Sequence, residues 1–354
     1  MAVHLSKTLD KIIISVDAMG GDYGTIVTVP AAFKLLARHD NVELILVGNE
    51  GLLRKAVVDQ NNTDLSKRIF IQHAGEEVMM DEAPAKALRG KKDSSMRVAI
   101  NLVKDRIAHA CISAGNTGAL VATARFVLKT LPGISRPAIC THFPTMIEGK
   151  STVILDLGAS VDSAEDYLLQ LAVMGSILSS MLENIAKPKV ALLNIGSEEI
   201  KGNEQIRKAA QMLADNKNIN YAGFVEGNDI FKGMVDVIVC DGFTGNVMLK
   251  TIEGVLNLVK FYAKTNIKRS WVARIMAILA FPMFLRLQRK ADPDRYNGAT
   301  LVGLRGIVVK SHGGAKVDSF VSALEKAVIE ARINMPQKIS DELEKIMGRK
   351  GIEQ

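Results

Sequence analysis

The sequence predicts an α/β protein with a mostly parallel sheet covered by helices on both faces. Three observations carry this. Short β-branched runs alternate with longer amphipathic segments along the 354 residues. The short runs are continuously apolar rather than alternating, the pattern of strands buried on both faces. Several end in Gly with Ser, Thr, Asn or Asp, and in such sheets ligands collect at the C-terminal strand ends.

Lys11–Val16 reads as the first strand and ends in Asp17-Ala18-Met19-Gly20-Gly21-Asp22. Val42–Val47 and Ile69–Gln72 follow as strands. A helix starts at Ser94 or Ser95 as N-cap and sets Met96, Ile100, Val103 and Ile107 on one face. The strand His109–Ile112 leads into Ser113-Ala114-Gly115-Asn116-Thr117-Gly118, and Val153–Leu155 leads into Asp156-Leu157-Gly158-Ala159-Ser160. Leu168, Leu171, Gly175, Leu178 and Leu182 lie at helical spacing in an uncharged stretch, which places that helix either centrally in the fold or in a subunit interface. Val190–Asn194 continues into Ile195-Gly196-Ser197-Glu198, and Val235–Cys240 into Asp241-Gly242-Phe243-Thr244-Gly245-Asn246. Together these strand ends predict one polar, anion-friendly cleft, because glycine admits backbone N–H groups and helix N-termini favour anions.

Composition narrows the class. The 48% hydrophobic and 23% charged fractions are those of a globular chain. The three cysteines, Cys111, Cys140 and Cys240, lie far apart in apolar runs, so they predict a reducing cytosol and inert core thiols rather than a disulfide scaffold or a metal site. The first ten residues lack the apolar core of a signal peptide, and no apolar run is long enough to span a bilayer. A net charge of +7 suits an anionic partner, while 5% aromatics and the lack of an RNA-binding motif argue against nucleic acid. Familiar signatures fail. Gly149-Lys150-Ser151 imitates the end of a phosphate-binding loop, but Pro144 occupies the place of its first glycine and a strand follows. No G-x-G-x-x-G, G-x-S-x-G or H-E-x-x-H occurs.

One segment stands apart. From Gly254 to Ala291 there is no acidic residue, and Lys260, Lys264, Lys268, Arg269, Arg274, Arg286, Arg289 and Lys290 surround the uncharged run Ile275–Leu285 beside Trp271, the only tryptophan. The run is too short to cross a bilayer, and Pro282 interrupts it. Apolar insertion with basic flanks and an interfacial Trp predicts a helical tip at about 255–291 that lies on an anionic membrane, with Trp271, Ile278, Leu279, Phe281 and Phe284 entering it. A core helix or a dimer contact is the alternative, and the same positive surface suits an acidic carrier protein.

The ordered set Val16–Asp22, Lys91–Met96, Ser113–Ala119 and Asp241–Asn246 resembles the bacterial phosphate acyltransferase family PlsX, the acyl-ACP:phosphate transacylases (ACP, acyl carrier protein). Leu193–Gly196, Lys201-Gly202-Asn203, Tyr296–Ala299 and His312-Gly313 match in order, so the resemblance covers about residues 11–335. Asn49 and Ser160 depart from it: an acid is expected at the first position and Asn at the second. The resemblance implies a two-lobed, three-layer α/β/α sandwich like isocitrate dehydrogenases and phosphotransacetylases, formed by the whole chain as one domain. It implies transfer of a long-chain acyl group from acyl-ACP to inorganic phosphate, feeding phospholipid synthesis. It further implies a homodimer without metal or cofactor, cytoplasmic and peripheral to the inner face of the cell membrane, with the next acyltransferase of phospholipid synthesis as a candidate partner. Asn116, Lys201, Asp241 and His312 become the candidate catalytic residues. Asp17, Gly20, Gly21, Ser113, Gly115, Thr117, Gly118, Asn194, Gly196, Asn203, Thr244 and Asn246 become the candidate phosphate or substrate ligands. The chemistry fits these residue types: phosphate is the nucleophile and the leaving thiol has a pKa near roughly 8.5, so the protein needs anion positioning and oxyanion donors rather than a Ser or Cys nucleophile. A short-chain phosphotransacetylase using coenzyme A, a nicotinamide-dependent decarboxylating dehydrogenase and a membrane-bound scaffold are the rival readings.

Overall fold

A computed structural model describes residues 11–269 and 297–347. Its strands are β1 (Ile12–Asp17), β2 (Val42–Gly48), β3 (Ile69–His73), β4 (Ala110–Ser113), β5 (Ala138–Pro144), β6 (Ser151–Leu155), β7 (Lys189–Leu193), β8 (Asn220–Val225), β9 (Val237–Val239), β10 (Ala299–Val302) and β11 (Ile307–Lys310). The helices are α1 (Thr25–Leu36), α2 (Glu50–Val58), α3 (Thr63–Ser66), α4 (Pro84–Gly90), α5 (Ser95–Lys104), α6 (Thr117–Leu128), α7 (Glu165–Glu183), α8 (Glu204–Asp215), α9 (Gly242–Arg269), α10 (Val317–Arg332) and α11 (Met335–Met347).

All strands join one sheet in the order β3-β2-β1-β4-β11-β10-β5-β6-β9-β7-β8. Each flank is parallel: β3, β2, β1, β4 and β11 on one side, β6, β9, β7 and β8 on the other. The middle is antiparallel, at β11–β10, β10–β5 and β5–β6. Three successive reversals turn the second flank against the first. Apolar cores cover both faces, one beneath α1, α7 and α10, the other beneath α5 and α6.

The sequence places β1, β2, β3, β4, β6, β7 and β9 and passes over β5, β8, β10 and β11. β5 reads poorly because Thr141, His142 and Pro144 interrupt it; β10 and β11 have four residues each. Helix α5 starts after its N-cap Ser94, whose Oγ accepts from Arg97 N. Met96, Ile100 and Val103 are buried, but Ile107 falls outside the helix and is exposed. Arg106 takes a left-handed conformation (φ 59°), and the Ile107 and Ala108 amides close back on Leu102 O, ending the apolar stripe one turn early. Helix α7 is central: Leu168, Leu171, Gly175 and Leu178 are buried, with Leu182 partly buried. A Cβ on Gly175 would stand 2.6 Å from Val237 Cγ1 and 2.7 Å from Leu155 Cδ1, so glycine lets the helix lie directly on β6 and β9.

Candidate active site

Asp17, Ser113 and Lys310 close three adjacent parallel strands in one register row, Asp17 beside Ser113 and Ser113 beside Lys310. In-register residues of parallel strands face the same side, here the side covered by α5 and α6. Ser113 Oγ donates to Asp17 Oδ2 at 2.6 Å and accepts from Gly115 N at 3.0 Å. Asp17 is 1% exposed, and its Oδ1 has no hydrogen-bond partner. Burial pushes its carboxyl above the usual range, against the opposing Ser113 bond. Glycine is required around it, since a Cβ on Gly20 would lie 2.6 Å from Asp17 Oδ2 and 2.9 Å from Gly115 N. Gly21 (φ 90°) brings Asp22 N within 2.9 Å of Gly313 O, tying this turn to the end of β11.

Asn116 is the N-cap of α6, its Oδ1 accepting from Ala119 N at 3.0 Å. Its Nδ2 donates to Met80 O at 2.8 Å and Glu82 O at 3.0 Å. The side chain therefore clamps residues 79–82 over the turn, and the anion donors left here are the first-turn N–H groups of α6, beginning at Thr117 and Gly118. A Cβ on Gly118 would meet Pro84 Cγ at 2.7 Å, so glycine also lets α4 close in. His312 Nδ1 accepts from Gly314 N at 3.1 Å, which puts the neutral ring's proton on Nε2, facing Glu253 Oε1 at 4.0 Å. The sequence reading missed Lys310. It is 9% exposed and donates to the carbonyls of Ala114 (3.4 Å) and Ser311. Burial pushes its ammonium down to about 8, helped by Lys250 and opposed by Asp17 and Asp22. A lysine closing the apolar run Ile307-Val308-Val309 just before Ser-His-Gly-Gly was the available signal.

The remaining candidates group on the other flank. Asp156, fully buried at the end of β6, accepts from the amides of Ile139, Gly158, Ala159 and Ser160 and from Ser160 Oγ. Asp241 starts α9, taking Thr244 N at 2.9 Å and Thr244 Oγ1 at 2.6 Å. Asn246 lies over Gly158, where a Cβ would come within 3.2 Å of it. Asn194 accepts from Ile195 N and donates to Lys201 O at 3.2 Å. Gly196 packs against Lys201 Cγ, Gly202 against Asn194, and Asn203 caps α8 through Ile206 N at 2.8 Å. Of the departing positions, Asn49 caps α2 and Ser160 braces Asp156.

The polar turns thus fall into two groups, one on each flank of the sheet. The three central reversals put the ends carrying Asp156, Asn194 and Asp241 opposite those carrying Asp17 and Ser113. Helix α9 bridges the groups. Its first turn packs on β6, where a Cβ on Gly245 would stand 1.9 Å from Asp156 O. Asn246, Lys250 and Glu253 then follow at helical spacing on one face, with Glu253 reaching His312 and Lys250 paired to Glu253 at 2.8 Å. From Asn246 to Glu253 is about 10 Å along the axis. Thus Asn116 and His312 belong to one cluster, Lys201 and Asp241 to the other. Trp271, Ile278, Leu279, Phe281 and Phe284 lie outside the described residues.

This arrangement of flanks belongs to the phosphotransacetylase-like class of α/β folds. A phosphotransacetylase from Streptococcus pyogenes superposes with a TM-score of 0.60 at 16% identity, covering 91% of this chain and 94% of that one. Another from Staphylococcus aureus gives 0.56 at 17% identity, covering 93% and 94%. Within that class, residues 12–338 match the family model described as "Fatty acid synthesis protein", and the chain belongs to this family, that of the PlsX phosphate acyltransferases. A phosphate acyltransferase of Coxiella burnetii (strain Dugway 5J108-111) is 55% identical over 334 residues, 94% of this chain and 97% of the relative. That of Nitrosococcus oceani is 56% identical over the same shares.

Proposed function

We propose that this enzyme transfers a long-chain acyl group from acyl-ACP to inorganic phosphate, releasing acyl phosphate and the free carrier thiol. The supporting observation is the anion-friendly turn Ser113–Gly118 at the N-terminus of α6, in a chain without a usable protein thiol. Cys111, Cys140 and Cys240 are buried, and burial pushes all three thiols up, that of Cys140 to about 12. The nucleophile then comes from the substrate. A phosphate oxygen bonds to the thioester carbon, the carbonyl oxygen becomes an oxyanion, and the C–S bond breaks as it collapses. Helix N-terminal N–H groups at Thr117 and Gly118, and the Nε2–H of His312, suit the developing negative charge. The proton of monohydrogen phosphate balances the departing thiolate. Lys201, Asp241, Thr244 and Asn246 fit the carrier-side half of the cleft, across α9 from the anion nest.

We assign the membrane and dimer surfaces to the segment that α9 enters. Val255, Leu258, Val259, Phe261 and Tyr262 on α9 are exposed large apolar residues, and they lead towards the basic-apolar run at 275–285. No helix among the described residues is long and apolar enough to cross a membrane. The exposed apolar residues and the acid-free basic run from Gly254 to Ala291 support the reading of an anionic membrane contact, and the homodimer is carried over from the family resemblance. The deciding experiment is incubation with long-chain acyl-ACP and phosphate, scoring acyl phosphate and free carrier thiol. Turnover of acetyl-CoA with no turnover of acyl-ACP would replace this reading by the coenzyme A one.

A further inference from the structure

The Asp17–Ser113–Lys310 row contains two features that the reaction outlined above leaves unused. Lys310 is a buried cation held only by carbonyl oxygens. Asp17 Oδ1 is buried and has no hydrogen-bond partner, while Oδ2 takes the Ser113 hydroxyl and Ser95 and the Met19 and Gly20 amides stand near the carboxyl. Unmet buried acceptors are costly, and such a group at a strand end beside a helix N-terminus points to a ligand that carries a donor. Two strand spacings separate the backbones of Asp17 and Lys310, about 9.6 Å, a span that one tetrahedral oxyanion with a hydrogen bond on each side can bridge.

We infer that this row is a subsite selective for hydrogen phosphate, in which the Lys310 ammonium holds the charged oxygens and Asp17 Oδ1 accepts the P–OH hydrogen. This rests on inorganic phosphate being the acyl acceptor. The selectivity follows from charge and proton count. Phosphate keeps one hydroxyl at neutral pH, whereas sulfate has the same shape and charge but no proton to donate. Against sulfate, Asp17 Oδ1 receives no proton from the ligand: it either meets the anion as a carboxylate or must first take up a proton from solvent, and both weaken binding. Sites built around a substrate hydroxyl reject the analogue lacking it by large factors. The charged groups that act on Lys310 are Lys250 from α9 and Asp17 and Asp22 from the end of β1 and its turn; Glu253 of α9 pairs with Lys250 and faces His312, which lies two residues past Lys310. Lys250 adds to the local positive charge, and Glu253 is already paired with it.

The test uses the full chain without acyl donor and measures binding of inorganic phosphate and of sulfate by calorimetry. Wild type is expected to prefer phosphate by roughly 10²-fold at pH 7. Asp17→Asn should narrow that ratio at least roughly tenfold, and Lys310→Met should weaken both anions by a similar factor. Wild-type phosphate affinity should fall above pH 8 as Lys310 loses its charge, while Lys310→Arg should hold it to higher pH. Equal wild-type affinity for the two anions overturns the subsite whatever the variants do, and so does an unchanged ratio in a folded Asp17→Asn. A parallel acyl-ACP assay on wild type separates the two readings. Acyl phosphate formed without anion discrimination removes the subsite alone; discrimination without acyl phosphate removes the proposed reaction and leaves the anion site.

Discussion

Ser113 Oγ stands 2.6 Å from Asp17 Oδ2 and takes the Gly115 amide at 3.0 Å, so one hydroxyl joins the ends of β1 and β4 to the turn that opens α6. Both strands are buried there, and no solvent replaces the hydroxyl if it is removed. Ser113→Ala should therefore leave a buried carboxylate oxygen and a buried amide unpaired, costing on the order of 1–3 kcal/mol of stability. Turnover should drop by roughly 10²-fold or more through misplaced anion donors. Chemical denaturation and steady-state kinetics read the two effects. Loss of stability with undiminished turnover would show that the pair only braces the fold.

Asn116 joins structure and chemistry in one side chain. Its oxygen caps α6 while its nitrogen holds the carbonyls of Met80 and Glu82. Asn116→Ala should cost about 1–2 kcal/mol as a lost cap and lower turnover by roughly 10²-fold as residues 79–82 come away from the nest. Asn116→Asp keeps the cap and loses the two donated bonds. A carboxylate oxygen then faces the Met80 and Glu82 carbonyls, so their repulsion should offset the retained cap and turnover should stay low; a fully active Asn116→Asp would separate the 79–82 clamp from catalysis.

Away from the cleft, Glu330 of α10 is fully buried, accepts from Thr300 Oγ1 and leaves Oε2 unpartnered. Burial pushes its carboxyl up to about 7, against the pull of nearby Lys326. A folded-state value above the unfolded one stabilises the fold fully below the unfolded value of 4.5, and this is lost as pH rises towards about 7. Unfolding free energy should fall by on the order of 3 kcal/mol across that window. Glu330→Gln, which carries no charge at any pH, should flatten the slope in urea titrations. A slope unchanged in that variant would place its origin elsewhere.

The cysteines give a prediction of insensitivity. Because all three thiols are buried and held protonated, a thiol-alkylating reagent added to the native enzyme should leave acyl phosphate formation unchanged over the assay. Chelation with EDTA should do the same if phosphate and helix N-termini supply the chemistry. Rapid inactivation by the reagent, reversed by thiol, would bring a cysteine into the mechanism.

How much was legible follows from how local each signal is. The Asp17–Asp22 and Ser113–Gly118 turns are read from sequence because turn chemistry and N-capping involve residues a few places apart. The direction of the second flank is not, because β5 and β10 reverse it through pairings such as Thr300 with Cys140 that join distant parts of the chain. Lys310 escaped notice because its meaning depends on β11 entering beside β4, which no local pattern states. Asn116 was read as a donor to substrate, whereas the fold turns its amide onto residues 79–82. The phosphate acyltransferase reading survived these misses because it rested on an ordered set of motifs rather than on any one side chain.

The last prediction concerns the segment beyond α9. Along α9, the exposed Val255, Leu258, Val259, Phe261 and Tyr262 lie before the run that holds Ile278, Leu279, Phe281 and Phe284, with basic residues on both sides and no acid from Gly254 to Ala291. Burial of four such side chains, even in part, contributes on the order of 4–8 kcal/mol before ordering costs. Each flanking cation adds roughly 1 kcal/mol near an anionic leaflet. Leu279→Glu with Phe281→Glu should then release the protein from anionic vesicles in a sedimentation assay, while acyl-ACP turnover in solution persists. High salt should weaken wild-type binding without abolishing it, because screening acts on the cations and not on the apolar contact. Two outcomes oppose the reading: a double variant that still pellets with vesicles, or one that unfolds because these side chains were core. A variant that instead changes oligomeric state and keeps its vesicle binding would assign the segment to the interface between two copies.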